Sequence, residues 1–395
     1  MTSSTKPAIL GGSPAFPNGL PLVRPTIDDP AALTADLGRV VESGMLTNGA
    51  SVRRLEEAVG ERLGTEVVAV SSCTAGLMLV YQALGITGRV VMPSFTFSAS
   101  AHAVVWAGGT PDFADVEPER ATLDVDGLSM LLDGASAVSA THIYGTPAQV
   151  EALDALAADA GIPVVYDAAH ALGSARQGTP IGRNGTAEIF SLSPTKVVVA
   201  GEGGLVSTTD ADLAARLRMG RDYGNPGDYD TRFCGLNARM SELHATVALA
   251  SFAELVEHVA KRGALVDHFE KAIAGVPGLR VVRPAEGDTS TFKDLTIVVD
   301  ADAYGMSAPQ LQQALKVDGI DSRRYYHPPI HEQQAYEGRW ARPRPLPVTD
   351  DLAASVLSPP LWSHMTEDTV VRVAGTIKNL HEHADVVVDA LRSTP

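Results

Sequence analysis

The chain is poor in cysteine and in positive charge, and it has no long apolar run. Its 395 residues include two cysteines, Cys73 and Cys234, which are too few for a disulfide framework, so we expect a reduced, cytoplasmic setting. Lysine and arginine number 31 against 47 aspartates and glutamates, and the formal net charge of −16 lacks the electrostatic footprint of a nucleic-acid-binding protein. Since no apolar run reaches about 18 residues and the N-terminus has no charged-then-apolar signal pattern, we expect no membrane span.

Internal repeats and low-complexity tracts are also absent, and helical and strand patterns alternate from about residue 30 onward. Residues 51–63 have the apolar spacing of a helix, and residues 137–167 have the pattern of a βαβ unit. This alternation predicts a largely parallel sheet covered by helices.

A long helical stretch is predicted from about Arg239 to Lys261, and beyond it the pattern changes to that of a smaller α+β unit. The first 25 residues are rich in Gly and Pro and are typical of an arm. The predicted organisation is an N-terminal arm (1–25), a large domain (26–260) and a small C-terminal domain (261–395).

The segment SSCTAG, residues 71–76, places a strand end directly before a helix start. Exposed amides and the positive end of the helix suit a phosphate, and the Thr74 hydroxyl adds a donor. An ordinary helix cap by Ser72 or Thr74 explains the same residues.

Two further segments offer an aromatic ring and an acid. Phe97, in PSFTFSAS, has a side chain that can lie on the flat face of a ring, although taken alone the residue is better explained as a core aromatic. Asp167, in YDAAHA, follows three apolar β-formers, so its carboxylate lies at a strand end and can pair with a protonated ring nitrogen. His170 can contact a ring hydroxyl or orient Asp167; the alternatives are a helix cap for Asp167 and a buried, satisfied histidine for His170.

The segment SLSPTKVVVAGEGG, residues 191–204, presents Lys196 among hydroxyls and glycines. A Walker-type phosphate loop is excluded because no glycine-rich run precedes the lysine at the needed spacing. Burial and nearby positive charge would lower the pKa of the Lys196 amine and let it attack a carbonyl. The alternative is an exposed loop lysine.

The order of these parts along the chain, a phosphate cup, an aromatic, an acid and then a lysine, is what pyridoxal 5′-phosphate (PLP) requires. A lysine amine forms a Schiff base with the aldehyde of this cofactor, and a carboxylate keeps the pyridine nitrogen protonated so that the ring withdraws electrons. Because ligands gather at the carboxyl ends of parallel strands, we expect the four segments to meet at one edge of the sheet.

The combination resembles the DegT/DnrJ/EryC1/StrS aminotransferases, PLP enzymes that mostly act on nucleotide-linked keto-sugars. The resemblance covers nearly the whole chain, from residue 45 to residue 373, and its most specific motifs are SSCTAG, PSFTF, DAAHALGS, SLSPTK with GEGG, and GLNARMSELHATVAL. It implies the α/β architecture of PLP-dependent transferase fold type I (aspartate aminotransferase-like), in which a large domain with a mostly parallel seven-stranded sheet carries a smaller C-terminal α+β domain.

The resemblance also implies roles for single residues. Lys196 would hold the cofactor and Asp167 would face its pyridine nitrogen, with both acting in catalysis. Asn237, in GLNARM, would reach the phosphate of a neighbouring subunit, which implies a homodimer with shared sites; a helix N-cap is a compatible reading of Asn237. The remaining implied cofactor contacts are Cys73, Thr74 and Ser191 at the phosphate, Phe97 on the ring face and His170 beside the ring.

The chain departs from the family pattern at two places. Leu192 and Ser193 stand where Phe and His are common before the lysine, and Ala238 stands where a tyrosine often follows the asparagine. Some relatives replace the lysine by histidine and are dehydratases, and Lys196 argues against that branch.

The implied activity is the transfer of an amino group from L-glutamate or L-glutamine to a nucleotide-linked keto-sugar or to a keto-cyclitol. Such a reaction belongs to amino-sugar or antibiotic biosynthesis. Arg239, His331 and Tyr223 are candidate substrate contacts, although surface roles fit Arg239 and His331 equally. Two alternative functions stay open. One is another PLP-dependent reaction on the same fold, namely dehydration, elimination or aromatisation of an amino-cyclohexenone, and the other is that of a non-catalytic PLP-binding homologue. We predict no metal site.

Overall fold

A seven-stranded sheet organises the large unit of the chain in the computed structural model, which describes residues 6–393. The strands of this unit are β1 (Glu66–Val70), β2 (Arg89–Pro93), β3 (Thr110–Ala114), β4 (Ala137–Thr141), β5 (Val164–Asp167), β6 (Ala175–Arg176), β7 (Thr179–Pro180), β8 (Ala187–Ser191) and β9 (Gly204–Thr208). The sheet order is β1-β9-β8-β5-β4-β2-β3, while β6 and β7 pair separately as a ribbon. Only β9 runs against its neighbours within this sheet, so the prediction of a mostly parallel, seven-stranded sheet is confirmed.

Helices cover the sheet and build the smaller C-terminal unit. The α-helices are α1 (Pro30–Ser43), α2 (Ala50–Leu63), α3 (Cys73–Ala83), α4 (Ser98–Trp106), α5 (Ser129–Leu132), α6 (Val150–Ala160), α7 (Ala211–Gly220), α8 (Glu242–Ala253), α9 (Leu255–Ala272), α10 (Ala301–Tyr304), α11 (Ala308–Val317), α12 (Pro347–Ser355), α13 (Glu367–Glu382) and α14 (Ala384–Ser393). Short 3-10 turns lie at Ala8–Leu10, Ile143–Gly145, Ile330–Glu332 and Gln334–Tyr336. None of the helices between residues 6 and 393 is long and apolar enough to cross a membrane.

The strands of the large unit bring their carboxyl ends to one edge. Strands β2, β4, β5 and β8 are parallel neighbours of one another, and β1 points the same way because β9 is antiparallel to both β1 and β8. In the register, Thr141 of β4 lies opposite Asp167 of β5. The first residues after β1, the last residue of β5 and the last residue of β8 therefore share one side of the sheet.

The long helical stretch predicted from about Arg239 to Lys261 is present as two consecutive helices, α8 and α9, and it extends to Ala272. The backbone around Met240 is engaged elsewhere: its carbonyl accepts from the Asn48 N–H at 3.1 Å, and Ser241 caps α8. The two helices are separated at Glu254, whose φ and ψ of −99° and 10° are not helical. Helix α8 therefore begins at Glu242, after Met240, whose carbonyl is paired with the segment before α2.

A second, three-stranded antiparallel sheet forms the smaller unit, with β10 (Leu279–Val281), β11 (Ile297–Val299) and β12 (Val356–Leu357) in that order. Helix α9 contributes to two cores: Leu255 and Val259 pack in a core of the large unit, whereas Leu265 and Phe269 pack in that of the smaller one. Leu20 of the predicted arm also packs in the smaller core. Residues 1–5 of that arm and residues 394–395 lie outside the described residues. The predicted domain boundaries at 25 and 260 stay predictions.

Candidate active site

A cavity of about 350 Å³ opens at the carboxyl edge of the sheet. It collects residues from the segment after β1, the start of α4, the end of β5, the loop after β8 and the smaller unit. Seven of the residues predicted from the sequence line it, namely Cys73, Thr74, Phe97, Asp167, His170, Ser191 and Lys196. The four sequence segments that contain these side chains therefore meet at one edge of the sheet, as expected.

Asp167 ends β5 and is buried, with 4% of its surface exposed. Its Oδ2 accepts a hydrogen bond from Ser100 Oγ at 2.5 Å, and its Oδ1 accepts from the Ala169 N–H at 3.1 Å. These two donors fix the plane of the carboxyl group at the floor of the cavity. The alternative of a plain helix cap is not seen, because no helix begins at Asp167.

Lys196 lies in the loop after β8, where its N–H donates to the Ser193 carbonyl at 3.0 Å. Removal from water lowers the pKa of its amine to about 8, and the positive charge of Lys293 acts in the same direction. Among the described residues, no hydrogen bond or ion pair holds the amine. A lysine that is readily deprotonated and has no fixed partner is available to react with a carbonyl group.

His170 has a defined tautomer. Its Nδ1 lies 3.1 Å from the Tyr144 N–H and accepts from it, so the ring proton is on Nε2. Burial lowers the pKa of His170 well below its usual value, and the charges of Lys196 and Lys293 lower it further. The ring is therefore neutral and can donate one N–H bond.

The opposite end of the cavity is the start of α3. Ser72 caps this helix by accepting from the Ala75 N–H at 3.1 Å, so the capping alternative is correct for Ser72, while Cys73 and Thr74 form the first turn. A Cβ at Gly204 would lie 2.6 Å from the Cys73 nitrogen, and this glycine thus lets β9 approach the helix start. Burial raises the pKa of the Cys73 thiol well above its usual value and keeps it neutral.

These residues fit PLP. The amides of the first turn of α3 suit its phosphate, the fixed carboxyl group of Asp167 suits its ring nitrogen, and the readily deprotonated Lys196 amine suits its aldehyde. Phe97, 58% exposed, lies at the mouth of the cavity, where its ring centroid is 6.1 Å from that of Tyr326. Phe97 is therefore accessible to a flat ligand, and its stacking role stays a prediction.

Three of the other predicted residues lie together outside the cavity. Arg239 forms an ion pair with Asp222 and lies over the Tyr223 ring, 5.3 Å from its centroid. Asn237 is exposed, and its backbone forms an isolated antiparallel β-bridge with that of Asp222. The N-cap interpretation of Asn237 is wrong, because Ser241 caps α8.

His331 also lies away from the cavity. Its Nδ1 is 2.7 Å from Ser94 Oγ and its Nε2 is 3.2 Å from Asp350 Oδ1. His331, Glu332 and Asp350 place ligand atoms within 4.8 Å of one another, but both ring nitrogens of the histidine already have protein partners.

The sequence interpretation missed Lys293, which the smaller unit contributes to the cavity wall. Lys293, Tyr325 and Tyr326 line the cavity, and Lys293 is paired with Asp294. A signal was present: in TFKDLTIVVD two adjacent charges stand directly before the run LTIVV, which contains β11.

The comparisons with known proteins agree with this geometry. The model of the DegT/DnrJ/EryC1/StrS aminotransferase family matches residues 28–378. A relative from Escherichia coli, dTDP-4-amino-4,6-dideoxy-D-glucose transaminase, is 29% identical over 359 residues, covering 90% of this chain and 96% of the relative. A second relative, the dTDP-3-amino-3,4,6-trideoxy-alpha-D-glucose transaminase of Streptomyces venezuelae, is 31% identical over 364 residues, covering 90% of this chain and 93% of the relative.

Solved structures show the same likeness. DesI, whose crystal structure was determined in the presence of its TDP-sugar product, matches with a TM-score of 0.91 and 36% identity over 97% of this chain and 98% of DesI. The fold is that of PLP-dependent transferases of fold type I, as predicted. The chain belongs to the DegT/DnrJ/EryC1/StrS aminotransferase family. It is thus an enzyme of the transaminase class.

Proposed function

We propose that this chain is a PLP-dependent aminotransferase that moves an amino group from L-glutamate or L-glutamine to a keto-sugar carried on a nucleotide. The observation that carries the proposal is the presence of Lys196, with its pKa lowered to about 8, and the fixed carboxyl group of Asp167 in one cavity with the start of α3. The nucleotide-linked substrate is supported by the names of the curated relatives, which are transaminases of dTDP- and UDP-linked amino sugars.

PLP, when bound, supplies an aldehyde that takes up amino groups and a ring that withdraws electrons. Asp167, held by Ser100 and the Ala169 N–H, keeps a proton on the ring nitrogen. Lys196 Nζ would take the proton from the Cα of the amino donor and pass it to the cofactor, so that the donor leaves as a keto acid. In the second half of the reaction the same nitrogen would return a proton to the carbon that receives the amine. Its lowered pKa makes both transfers feasible near neutral pH.

The other cavity residues hold and cover the cofactor in this proposal. Cys73, Thr74 and Ser191 bind the phosphate with the amides of the first turn of α3. Neutral His170 donates its Nε2 proton toward the ring, and Phe97 covers the ring face at the mouth. The neutral Cys73 thiol acts as a small wall group and not as a nucleophile.

The active unit in this proposal is a homodimer in which each chain completes the site of the other. Asn237, Tyr223 and Phe97 are all exposed in the single chain, although family resemblance predicts that each one functions at the site. Contact with a second copy would cover these residues and bring Asn237 to a phosphate. Tyr223, Arg239 and His331 remain proposed substrate contacts, with the acceptor bound between the subunits.

Spectroscopy of the purified protein tests the proposal. The PLP-loaded enzyme is mixed with L-glutamate or L-glutamine, and conversion of the cofactor to its amine form is followed by absorbance before dTDP-linked and UDP-linked keto-sugars are added. The expected result is conversion by the amino donor and reversal by a nucleotide-linked keto-sugar. Lys196→Ala abolishes turnover, whereas Lys378→Ala, at an exposed position of α13, does not. Release of ammonia or water from the sugar without an aminated product contradicts the proposal and indicates elimination or dehydration.

A further inference from the structure

A second lysine, Lys293, forms part of the cavity wall opposite the sheet. Its side chain is 4% exposed, and its Nζ donates to Asp294 Oδ1 at 2.8 Å. The same Nζ lies 4.8 Å from the ring centroid of Tyr325, close enough for a cation–π contact. The segment is also tied to the large unit, because the Lys293 N–H donates to the Tyr144 carbonyl at 2.9 Å. Lys293 is therefore held at a fixed place in the same cavity as Lys196.

The surroundings of Lys293 carry an excess of positive charge. Arg262, 2% exposed, donates through Nη1 to the carbonyls of Phe292 and Lys293 at 3.0 and 3.3 Å. The cluster of Arg262, Lys293 and Asp294 thus contains two cations and one carboxylate. A buried charge without a counterion is costly, so this part of the wall favours an anion beside it, while Asp167 and Glu202 are the carboxylates elsewhere in the cavity lining.

The chemistry of the amino donor provides that anion. An ammonium group has three N–H donors, and only one of those of Lys293 is used by Asp294. The donor Cα must lie at Lys196 for proton transfer, and its α-carboxylate is bonded directly to that carbon. The carboxylate therefore reaches the wall near Lys196, where a charge-assisted N–H bond holds it.

Arg239 is the rival cation, and its surroundings do not favour it. Its guanidinium is engaged by Asp222 and does not line the cavity of this chain, and at a partner's cavity its charge would already be balanced by Asp222. Because Lys293 lines the cavity of its own chain and uses only one N–H donor on Asp294, we propose that Lys293, positioned by Asp294, is the cation that binds the α-carboxylate of the amino donor. This assignment rests on the proposed function.

Equilibrium binding of a matched pair of compounds tests the assignment without turnover. α-Methyl-L-glutamate keeps the α-carboxylate but has no Cα proton to lose, whereas 4-aminobutyrate is glutamate without that carboxylate. Calorimetry with the PLP-loaded protein is expected to show that Lys293→Gln weakens binding of α-methyl-L-glutamate about tenfold to a hundredfold. Binding of 4-aminobutyrate should change by less than about threefold, because its missing carboxylate leaves nothing for Lys293 to hold. Lys378→Gln is the surface control and should change neither affinity.

Several outcomes overturn the assignment. They are an unchanged affinity of Lys293→Gln for α-methyl-L-glutamate, an equal loss for both compounds, or a loss that appears in Arg239→Gln instead. If the glutamine variant does not fold, Lys293→Met, which keeps an unbranched apolar stem, carries the same test. Failure of the proposed function is a separate result: the wild-type protein would then form neither 2-oxoglutarate from L-glutamate nor 2-oxoglutaramate from L-glutamine. A wild type that transaminates, with a Lys293→Gln variant that binds normally, overturns only the role of Lys293.

Discussion

Ser100 Oγ donates a hydrogen bond of 2.5 Å to Asp167 Oδ2, and both residues are buried at the floor of the cavity. Ser100 lies in the first turn of α4, so the position of that helix sets the orientation of the carboxyl group. We predict that Ser100→Ala weakens PLP retention about tenfold or more, because a hydrogen bond to a charged group is lost. A titration of the cofactor by absorbance measures the change. Ser129→Ala, at an exposed serine of α5, should retain PLP like the wild type, and equal retention by Ser100→Ala would contradict the prediction.

The lowered pKa of Lys196 predicts a distinct pH dependence for its chemical reactivity. With a pKa of about 8 caused first by burial and then by Lys293, the reactive neutral amine becomes the major form above pH 8. In the cofactor-free protein, the arylation rate of the peptide carrying Lys196 should therefore rise with pH about a midpoint near pH 8 and level off above it.

The same experiment reports on the neighbouring charge. Lys293→Gln removes a cation that disfavours the charged amine, so the midpoint for Lys196 should move to higher pH. Mass spectrometry of the labelled peptides gives both midpoints. An unshifted midpoint in Lys293→Gln would show that burial alone lowers the pKa of Lys196.

Gly204 is predicted to be intolerant of a side chain. A Cβ there would lie 2.6 Å from the Cys73 nitrogen and 2.7 Å from the Ser72 carbonyl carbon, and both are backbone atoms that cannot turn away. Gly204→Ala should lower the free energy of unfolding by about 1–3 kcal/mol and weaken PLP binding, since β9 is pushed away from the start of α3.

A matched glycine provides the control for that substitution. A Cβ at Gly263, within α9, meets no atom within 4 Å, so Gly263→Ala should leave stability unchanged or raise it by up to about 1 kcal/mol. Urea unfolding followed by circular dichroism compares the two variants. Equal stability of Gly204→Ala and the wild type would show that β9 and α3 can separate without cost.

The proposed sharing of sites between subunits predicts complementation between two inactive variants. Lys196→Ala lacks the reactive amine, and Asn237→Ala lacks the proposed contact to the partner's phosphate. Random mixing of the two chains gives half mixed dimers, each with one intact and one doubly altered site, so about a quarter of wild-type activity should return. Co-expression with different affinity tags and a turnover assay measure the recovery. No recovery in purified mixed dimers would indicate that each chain builds its own site.

The residues at the strand ends were predictable from the sequence because short-range patterns place them. Asp167 follows apolar β-formers, Thr74 starts a helix after a strand, and Ser191 ends a strand before the Lys196 loop. Parallel strands deliver such residues to one edge whatever the details of packing. That rule requires only the order of the elements, which the alternation of patterns indicates.

The wall that contains Lys293 was not predictable in the same way. Lys293 follows Lys196 by nearly a hundred residues, and its position depends on α9 and β11 packing across two cores. The sequence also does not show that Arg239 forms an ion pair with Asp222. An arginine in a motif is the same letter whether its guanidinium is free or paired. Long-range packing decides which charges face the cavity.

Helix α9 has a consequence for how substrates reach Lys196. Because one continuous helix packs in both cores, and its Arg262 binds the backbone at Lys293, the smaller unit cannot swing away from the sheet without bending that helix or breaking those bonds. The two units therefore keep a fixed relative position and do not open and close by a rotation of one against the other. Substrates that reach Lys196 must therefore pass the mouth of the cavity, where exposed Phe97 lies beside Tyr326, without help from an opening of the two units.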